Sequence, residues 1–512
     1  MAITEGPPRY QRSGPSRVRT TPPLAAALRH RAAAPVLVGL LAFAISAIGI
    51  GIPSVWYDEA ATITATTRSW PQLWAMLGNV DAVHGAYYVL MHLVVDAVGY
   101  SPLALRMPSA LAVGATAALV VVLGRQLGGA RVGLIAGLVF SVLPRVTWMG
   151  GEGRSYALTA FFAALLTIAM LRSQSGSRRH WIVYGALALL ACAVFIYLAL
   201  VVLAHGITLL WKTLRGREGS LADLRRWAIV TGGAGLVGLP LALEIVSQDG
   251  QVAWIARAGS DTVHDVLVTQ WFEGSLPLAV LAWGLVVVGV VRQLHTPRPG
   301  VLATLIPALA LPTLALLAVG LVREPLYLPR YLSLGTPFIA LAVAVGLASI
   351  RWRGAAVVGV ALVALLALPQ AVAQRLPEAK ENSSWAQVAQ FIAAERAADG
   401  PGSVTAVIYG NLQRHPSATS RVMAYAYPGA FADAVDVTLR TPAAQTAQLW
   451  ETRAPIAAST ERLLGADVAY LVTSTARDVR SETIAALAPL GWRVTETRDF
   501  TAVHVLRFER AP

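Results

Sequence analysis

The chain has 512 residues, of which 56% are hydrophobic and 13% charged, and its mean hydropathy is +0.58, which excludes an ordinary soluble globular protein. Its net charge of +13 does not point to nucleic acid, because the basic residues gather mostly in short loops between apolar runs, where they orient a membrane protein. The single cysteine, Cys192, excludes an internal disulfide and a thiolate metal site.

In chain order, residues 1–32 form a basic tail with Arg9, Arg12, Arg17, Arg19, Arg29 and Arg31 against Glu5 alone. The apolar run from Ala33 to Ile52 that follows is too long for a signal-peptide core and reads as an uncleaved first helix. The positive-inside rule then keeps the tail cytoplasmic and brings Trp56 out on the far side. A polar loop, 56–83, precedes apolar runs near Ala86–Gly99, Leu103–Gly124, Val132–Leu143 and Tyr156–Leu171. Further runs follow at Trp181–Trp211, Trp227–Val246, Leu276–Val291, Val301–Val322, Tyr331–Ile350 and Ala355–Val372. The Trp181–Trp211 run is long enough to cross twice as a tight hairpin. Basic clusters at Arg172–Arg179, Lys212–Arg226, Arg292–Arg298 and Arg351–Arg353 fit one alternating arrangement. The expectation is a mainly α, polytopic membrane fold with about 11–13 spans, an odd number placing the two termini on opposite sides.

Residues 33–373 read as the transmembrane catalytic domain, and 374–512 as a small α/β domain on the non-cytoplasmic face. Ser384 and Gln387 suggest a capping box that opens a helix with apolar positions Trp385, Val388 and Ile392. Val404–Tyr409, Val468–Thr473, Arg493–Thr497 and Val503–Phe508 read as strands. Helical segments are expected near Ala443–Thr452 and Ser481–Leu490.

Ionisable residues recur at the entrances of the apolar runs. Trp56-Tyr57-Asp58-Glu59-Ala60 sets two carboxylates just after the first helix. Taken alone this is more readily a solvated acidic loop than a general base. Asp81-Ala82-Val83-His84-Gly85-Ala86-Tyr87-Tyr88, Glu152-Gly153-Arg154-Ser155-Tyr156 and Leu328-Pro329-Arg330-Tyr331 shift that balance, because ionisable groups at membrane depth are expensive and usually functional. Arginine suits phosphate through its fork of donors, so Arg154 and Arg330 form a candidate phosphate clamp. His92 and His205 read as packed helix residues.

In these motifs the chain resembles the GT-C superfamily, and within it the family 39 glycosyltransferases of actinobacterial type. The family's Asp-Glu pair matches Asp58 and Glu59, and its His-Pro-Pro-like helix entrance matches His84-Gly85-Ala86-Tyr87-Tyr88. Its Arg-Leu-Pro-Ser matches Arg106-Met107-Pro108-Ser109, its Glu-Ala-Arg-Pro-Tyr matches Glu152 to Tyr156, and Arg330-Tyr331 resembles a family helix opening. The likeness spans about Trp56 to Gly346. Gly85 and Ala86 stand where the family has two prolines, and Gly153 and Ser155 where it has alanine and proline, which loosens the backbone.

The resemblance implies inverting transfer of a sugar, mannose first, from a polyprenyl-phosphate donor to a glycan, glycolipid or protein acceptor outside the cytoplasm. Asp58 and Glu59 would be the catalytic pair, Asp58 as the general base and Glu59 or Asp81 positioning the acceptor or sugar. Asp81, His84, Tyr87, Glu152, Arg154, Tyr156, Arg330 and Tyr331 would bind substrate. Some relatives carry a metal-binding glutamate near the position of Val83, which has no ligating atom, so no cofactor is required, with a divalent cation as the alternative. A transporter or flippase of lipid-linked sugars is the alternative, against which stand the asymmetric outer loop and terminal domain and the lack of an internal repeat.

Overall fold

The computed structural model describes residues 32–217, 219–295, 300–412 and 417–511. The tail arginines Arg9 to Arg31 and Arg298 lie outside the described residues.

Among these residues seven helices are long and apolar enough to cross a membrane: Pro102–Gly128, Tyr156–Ser173, Ser220–Ser247, Leu276–Leu294, Gly300–Val322, Pro329–Ser349 and Ala355–Ala373. Ala130–Val142 and Pro144–Gly150 count as an eighth if taken as one span bent by 62°. Pro144, which cannot continue the ladder of the preceding helix, sits at the bend. Three shorter apolar helices, Ala33–Ala47, Ala82–Val98 and Leu198–Leu214, accompany them. The chain is therefore a multi-pass membrane protein. The Trp181–Trp211 run breaks at Phe195–Tyr197 into two helices, Arg178–Val194 and Leu198–Leu214, which is the break a hairpin needs.

Burial sorts the helices. Pro329–Ser349 is almost wholly enclosed, whereas the apolar stretch of Ser220–Ser247 has no buried residue and packs only partly against the core through Leu224, Trp227 and Val230. The enclosed helix is reached through glycine: a Cβ added at Gly346 would overlap the Leu285 carbonyl carbon and oxygen, and Gly289 on the same partner helix lies against Gly346 in return. Small residues let helix backbones approach this closely in a bilayer.

Beyond the last span the helix Trp385–Ala398 begins as expected, but not through a capping box. The Ser384 hydroxyl donates to the Thr501 carbonyl (2.6 Å), and Gln387 Oε1 accepts from Ser54 Oγ (3.1 Å). A five-stranded sheet follows in the order β2-β1-β5-β7-β6, built from β1 (Thr405–Tyr409), β2 (Val435–Asp436), β5 (Val468–Ser474), β6 (Trp492–Phe500) and β7 (Val503–Arg510). β1 runs parallel to β2 and β5, and β7 is antiparallel to β5 and β6. A helix, Arg480–Leu487, lies where one was expected.

The helix expected over Ala443–Thr452 does not form. One short turn, Ala443–Gln445, gives way at Ala447 (φ 50°), and the stretch leads into the two-residue strand β4 (Thr452–Arg453), paired with β3 (Leu439–Thr441). Leu449 and Trp450 are thereby buried against the outer loop, where Trp450 Nε1 donates to Tyr57 Oη (3.1 Å). Tertiary packing overrides the helical propensity of this alanine-rich stretch.

One apolar core joins the two halves. Val55, Ile63, Leu73, Tyr88 and Leu105 cluster with Trp385, Val407, Val422, Tyr470 and Val505. Replacing Gly346 with valine should lower the thermal-unfolding midpoint in detergent, by a cost of at least about 1–3 kcal/mol from overpacking. An unchanged midpoint would contradict the close crossing.

Candidate active site

Asp58 and Glu59 open the helix Tyr57–Thr66. Successive helical residues point about 100° apart, so adjacent carboxylates on a helix cannot serve one spot. Here they diverge completely. Asp58 Oδ2 lies 3.6 Å from Arg330 Nη2, both side chains being partly open to solvent. Glu59 is wholly buried and faces the protein interior.

Four groups consume the Glu59 carboxylate. Arg106 Nε and Nη2 donate to its two oxygens at 2.8 and 2.7 Å, Lys380 Nζ lies 3.1 Å from Oε1, and the Gly153 amide donates to Oε1 at 2.9 Å. Burial alone would push this carboxyl up, but Arg106 and Lys380 hold it down at about 2. Gly153 is needed for this approach: a Cβ there would lie 2.7 Å from Leu105 Cγ and 3.2 Å from Glu59 Cγ.

Lys380 then reaches Glu152 Oε1 (2.5 Å) and the Gly151 carbonyl (2.8 Å). Trp56 Nε1 donates to the other Glu152 oxygen (2.9 Å). Burial raises the Glu152 carboxyl to about 7, with Lys380 pulling it down and Glu59 pushing it up. The Glu152–Arg154 loop is pinned further by Ser109, whose hydroxyl donates to the Glu152 carbonyl (2.6 Å), and by Thr62, which donates to the Gly153 carbonyl (2.9 Å).

On the open side Arg154 is the hub. Its Nη1 donates to Tyr88 Oη (3.1 Å) and, at 3.4 Å, to the Asp58 main-chain carbonyl, and its Nη2 donates to His84 Nε2 (2.7 Å). Because His84 Nε2 accepts, the imidazole is neutral and its proton sits on Nδ1. Tyr88 donates in turn to Asp81 Oδ2 (2.7 Å), and Asp81 holds a left-handed backbone (φ 60°). Burial raises the Asp81 carboxyl, against the pull of Arg154.

Arg330 lies over three rings, with Cζ 5.5 Å from Trp56, 5.7 Å from Trp254 and 5.9 Å from Tyr331. Its Nη1 is 3.9 Å from Glu381. Tyr331 continues an aromatic wall through Tyr156 (6.4 Å), Phe195 (5.9 Å) and Tyr197 (5.9 Å). Around Asp58, several buried atoms have no partner: His84 Nδ1, Arg154 Nε, Arg330 Nε, Ser155 Oγ and Tyr156 Oη. Buried donors in this state are costly.

Three solved structures share this architecture. ArnT from Cupriavidus metallidurans in the apo state superposes over 92% of this chain and 97% of its own, with 15% identity and a TM-score of 0.58. The same protein bound to undecaprenyl phosphate gives 15% identity over the same coverage and a TM-score of 0.55. The archaeal oligosaccharyltransferase AglB from Archaeoglobus fulgidus, in complex with an inhibitory peptide and a dolichol-phosphate, matches over 93% and 74% with 12% identity and a TM-score of 0.50. The chain has the GT-C fold. No protein-family model matches it, and no curated protein matches it.

Of the residues expected from sequence, Asp58, Asp81, His84, Arg154, Tyr156, Arg330 and Tyr331 converge on the open side. Glu59 and Glu152 belong to the buried ion cluster behind it. Tyr87 is buried beside Tyr88 (6.4 Å between rings) and in the field of Arg154, Glu59 and Glu152. Sequence reasoning missed Lys380, Glu381 and Trp254, and used Arg106 only as a motif position. Lys380 carried one signal, as one of only two lysines in an arginine-rich chain. Among the described residues no three His, Cys, Asp or Glu side chains converge to ligate a cation.

The raised Glu152 carboxyl binds its proton more tightly in the folded than in the unfolded chain, whose ordinary value is 4.5. Its contribution to stability is therefore full below pH 4.5 and declines as pH rises towards 7. Glu152→Gln should flatten the fall in thermal midpoint across this window. A wild-type slope in the variant would show that Glu152 does not titrate there.

Proposed function

We propose that the chain is an inverting glycosyltransferase that moves a sugar, mannose in the first place, from a polyprenyl-phosphate carrier to an extracytoplasmic acceptor. The observation that carries this reading is the set of unpartnered donors on Arg154, Arg330, His84, Ser155 and Tyr156 near the partly exposed Asp58 carboxylate. The structure of ArnT with undecaprenyl phosphate adds a precedent for a polyprenyl phosphate on this fold.

In this mechanism Asp58 accepts the proton of the acceptor hydroxyl as that oxygen attacks the anomeric carbon. The bond from that carbon to the phosphate oxygen breaks on the opposite face. The phosphodiester leaves as a monoester and gains negative charge as it does so, and Arg154 and Arg330 stabilise the growing charge. His84 Nδ1–H adds a neutral donor. Asp81 and Tyr88 orient Arg154, while Glu59 acts indirectly by fixing the loop that carries it. The helices of 33–373 make up the catalytic domain, 56–83 its outer loop, and 374–512 a domain on the same extracytoplasmic face, with the basic tail 1–32 in the cytoplasm.

The test uses the full chain in liposomes with labelled polyprenyl-phosphate mannose and cell-envelope extract as a source of acceptor. Asp58→Asn should slow label transfer by about 10²–10⁴-fold, and Arg330→Gln by roughly 10²–10³-fold through lost charge stabilisation. Wild-type turnover by Asp58→Asn sinks the base assignment. If wild type and variant transfer nothing and both carry the labelled lipid across the bilayer, the chain is a transporter.

A further inference from the structure

Beside the anion-binding side lies a cavity of about 310 Å³ whose chemistry is the reverse. Its lining includes Trp56, Trp148, three carboxylates (Glu152, Glu273 and Glu381) and the two glutamines Gln370 and Gln374. The one cation in the lining is Lys380, and its ammonium is already engaged by Glu59, Glu152 and the Gly151 carbonyl. Glu273 is likewise held by Arg145 and Glu381 faces Arg330, so an anion entering here finds no cation of the lining left free to receive it. A molecule that donates hydrogen bonds meets acceptors: Gln370 Oε1 is buried with no partner, and Glu381, two-thirds exposed, has only the long 3.9 Å contact with Arg330.

The volume is at the small end of ligand sites, which run from about 300 to 1,000 Å³, and fits a sugar unit rather than a prenyl chain. Two indoles with several hydrogen-bond acceptors suit the apolar faces and hydroxyl edges of a pyranose or furanose ring. Arg330 forms the partition between the two chemistries. One of its terminal nitrogens faces Asp58 at 3.6 Å and the other faces Glu381 at the cavity, with Trp56 beneath it. A hydroxyl projecting past this partition reaches the proposed base.

We propose that this cavity binds the acceptor, and that it selects an uncharged sugar unit and rejects phosphorylated or uronic acid units. Calling the ligand the acceptor rests on the transferase reading above; the preference for an uncharged sugar stands on the cavity's own residues.

The experiment follows saturation-transfer NMR on the full chain in nanodiscs, with methyl mannopyranoside as the uncharged probe and methyl glucuronoside as the anionic one. The uncharged probe should bind and the uronoside should not. Gln370→Leu should weaken the uncharged probe about three- to tenfold, the worth of one hydrogen bond. Glu381→Lys reverses a charge at the rim and should shift the preference towards the uronoside about tenfold, an outcome that misfolding cannot imitate. Butyl mannoside in a parallel arm separates sources: tighter binding than the methyl probe assigns the unit to a lipid-borne acceptor, and equal binding to a soluble glycan.

Equal binding of both probes by the wild type overturns the proposal, as does wild-type affinity and selectivity in both variants. Stabilisation by polyprenyl phosphate, measured as a thermal shift in wild type and Arg154→Gln, reports on the donor side separately. If that shift is absent while the cavity discriminates as described, the donor reading fails and the cavity assignment holds.

Discussion

The buried carboxylate of Glu59 is the interaction on which the site depends. It draws together four stretches remote in sequence: the helix after Trp56, the helix carrying Arg106, the Gly153 loop and the segment holding Lys380. A lone ionised carboxylate in such surroundings would be too costly to bury, and removing one partner of a buried pair costs about 3–5 kcal/mol. Here Arg106 satisfies both oxygens and spends its remaining donors on the carbonyls of Ile50, Pro53 and Ser54. The end of the first apolar stretch is thereby fixed to the same point as the loop that presents Arg154. Asp58 is one residue from Glu59 and Arg154 two from Glu152, both members of the cluster, so their relative position follows from it.

That arrangement separates opposite chemistries over a short distance. Arg154 and Arg330 hold buried spare donors, whereas the cavity behind Trp56 is lined by three carboxylates and two amides alongside its indoles. Such a division suits a reaction in which an anion must be held on one side of the reacting carbon and a neutral hydroxyl brought to the other. Lysine serves the cluster better than arginine would at position 380. Its compact ammonium can touch two carboxylates and a carbonyl at once, while a planar fork favours one bidentate partner.

The membrane fold was legible because long apolar runs and basic loops are strong signals, and the open-side residues because charged groups at helix entrances stand out against an apolar chain. What could not be read was direction. Asp58 and Glu59 are neighbours in one motif, yet one helical step sends them into different environments. Glu152 and Arg154 likewise belong to one motif and to two different networks. Lys380 stood in a stretch that read as the start of a separate region, with no periodicity to tie it to anything. Its local conformation is set by two consecutive left-handed residues, Glu381 and Asn382 (φ 52° and 56°), for which the sequence offers only the asparagine as a hint.

The same blindness applied to the boundary after the last span. Composition changes at Gln374, but packing does not. Tyr57 meets Trp450, the Val55 amide donates to Tyr427 Oη, and Arg68 Nη2 donates to the Gln448 carbonyl. The alanine-rich segment that was expected to be a helix is a series of turns for this reason: Leu449 and Trp450 complete the outer loop's core rather than a core of their own. The outer helix bearing Asp58 is thus held from behind by the ion cluster and from the side by the terminal sheet. Neither apolar packing nor charge pairing alone fixes a short helix of ten residues at a membrane surface. Together they leave its one outward carboxylate facing the arginine partition.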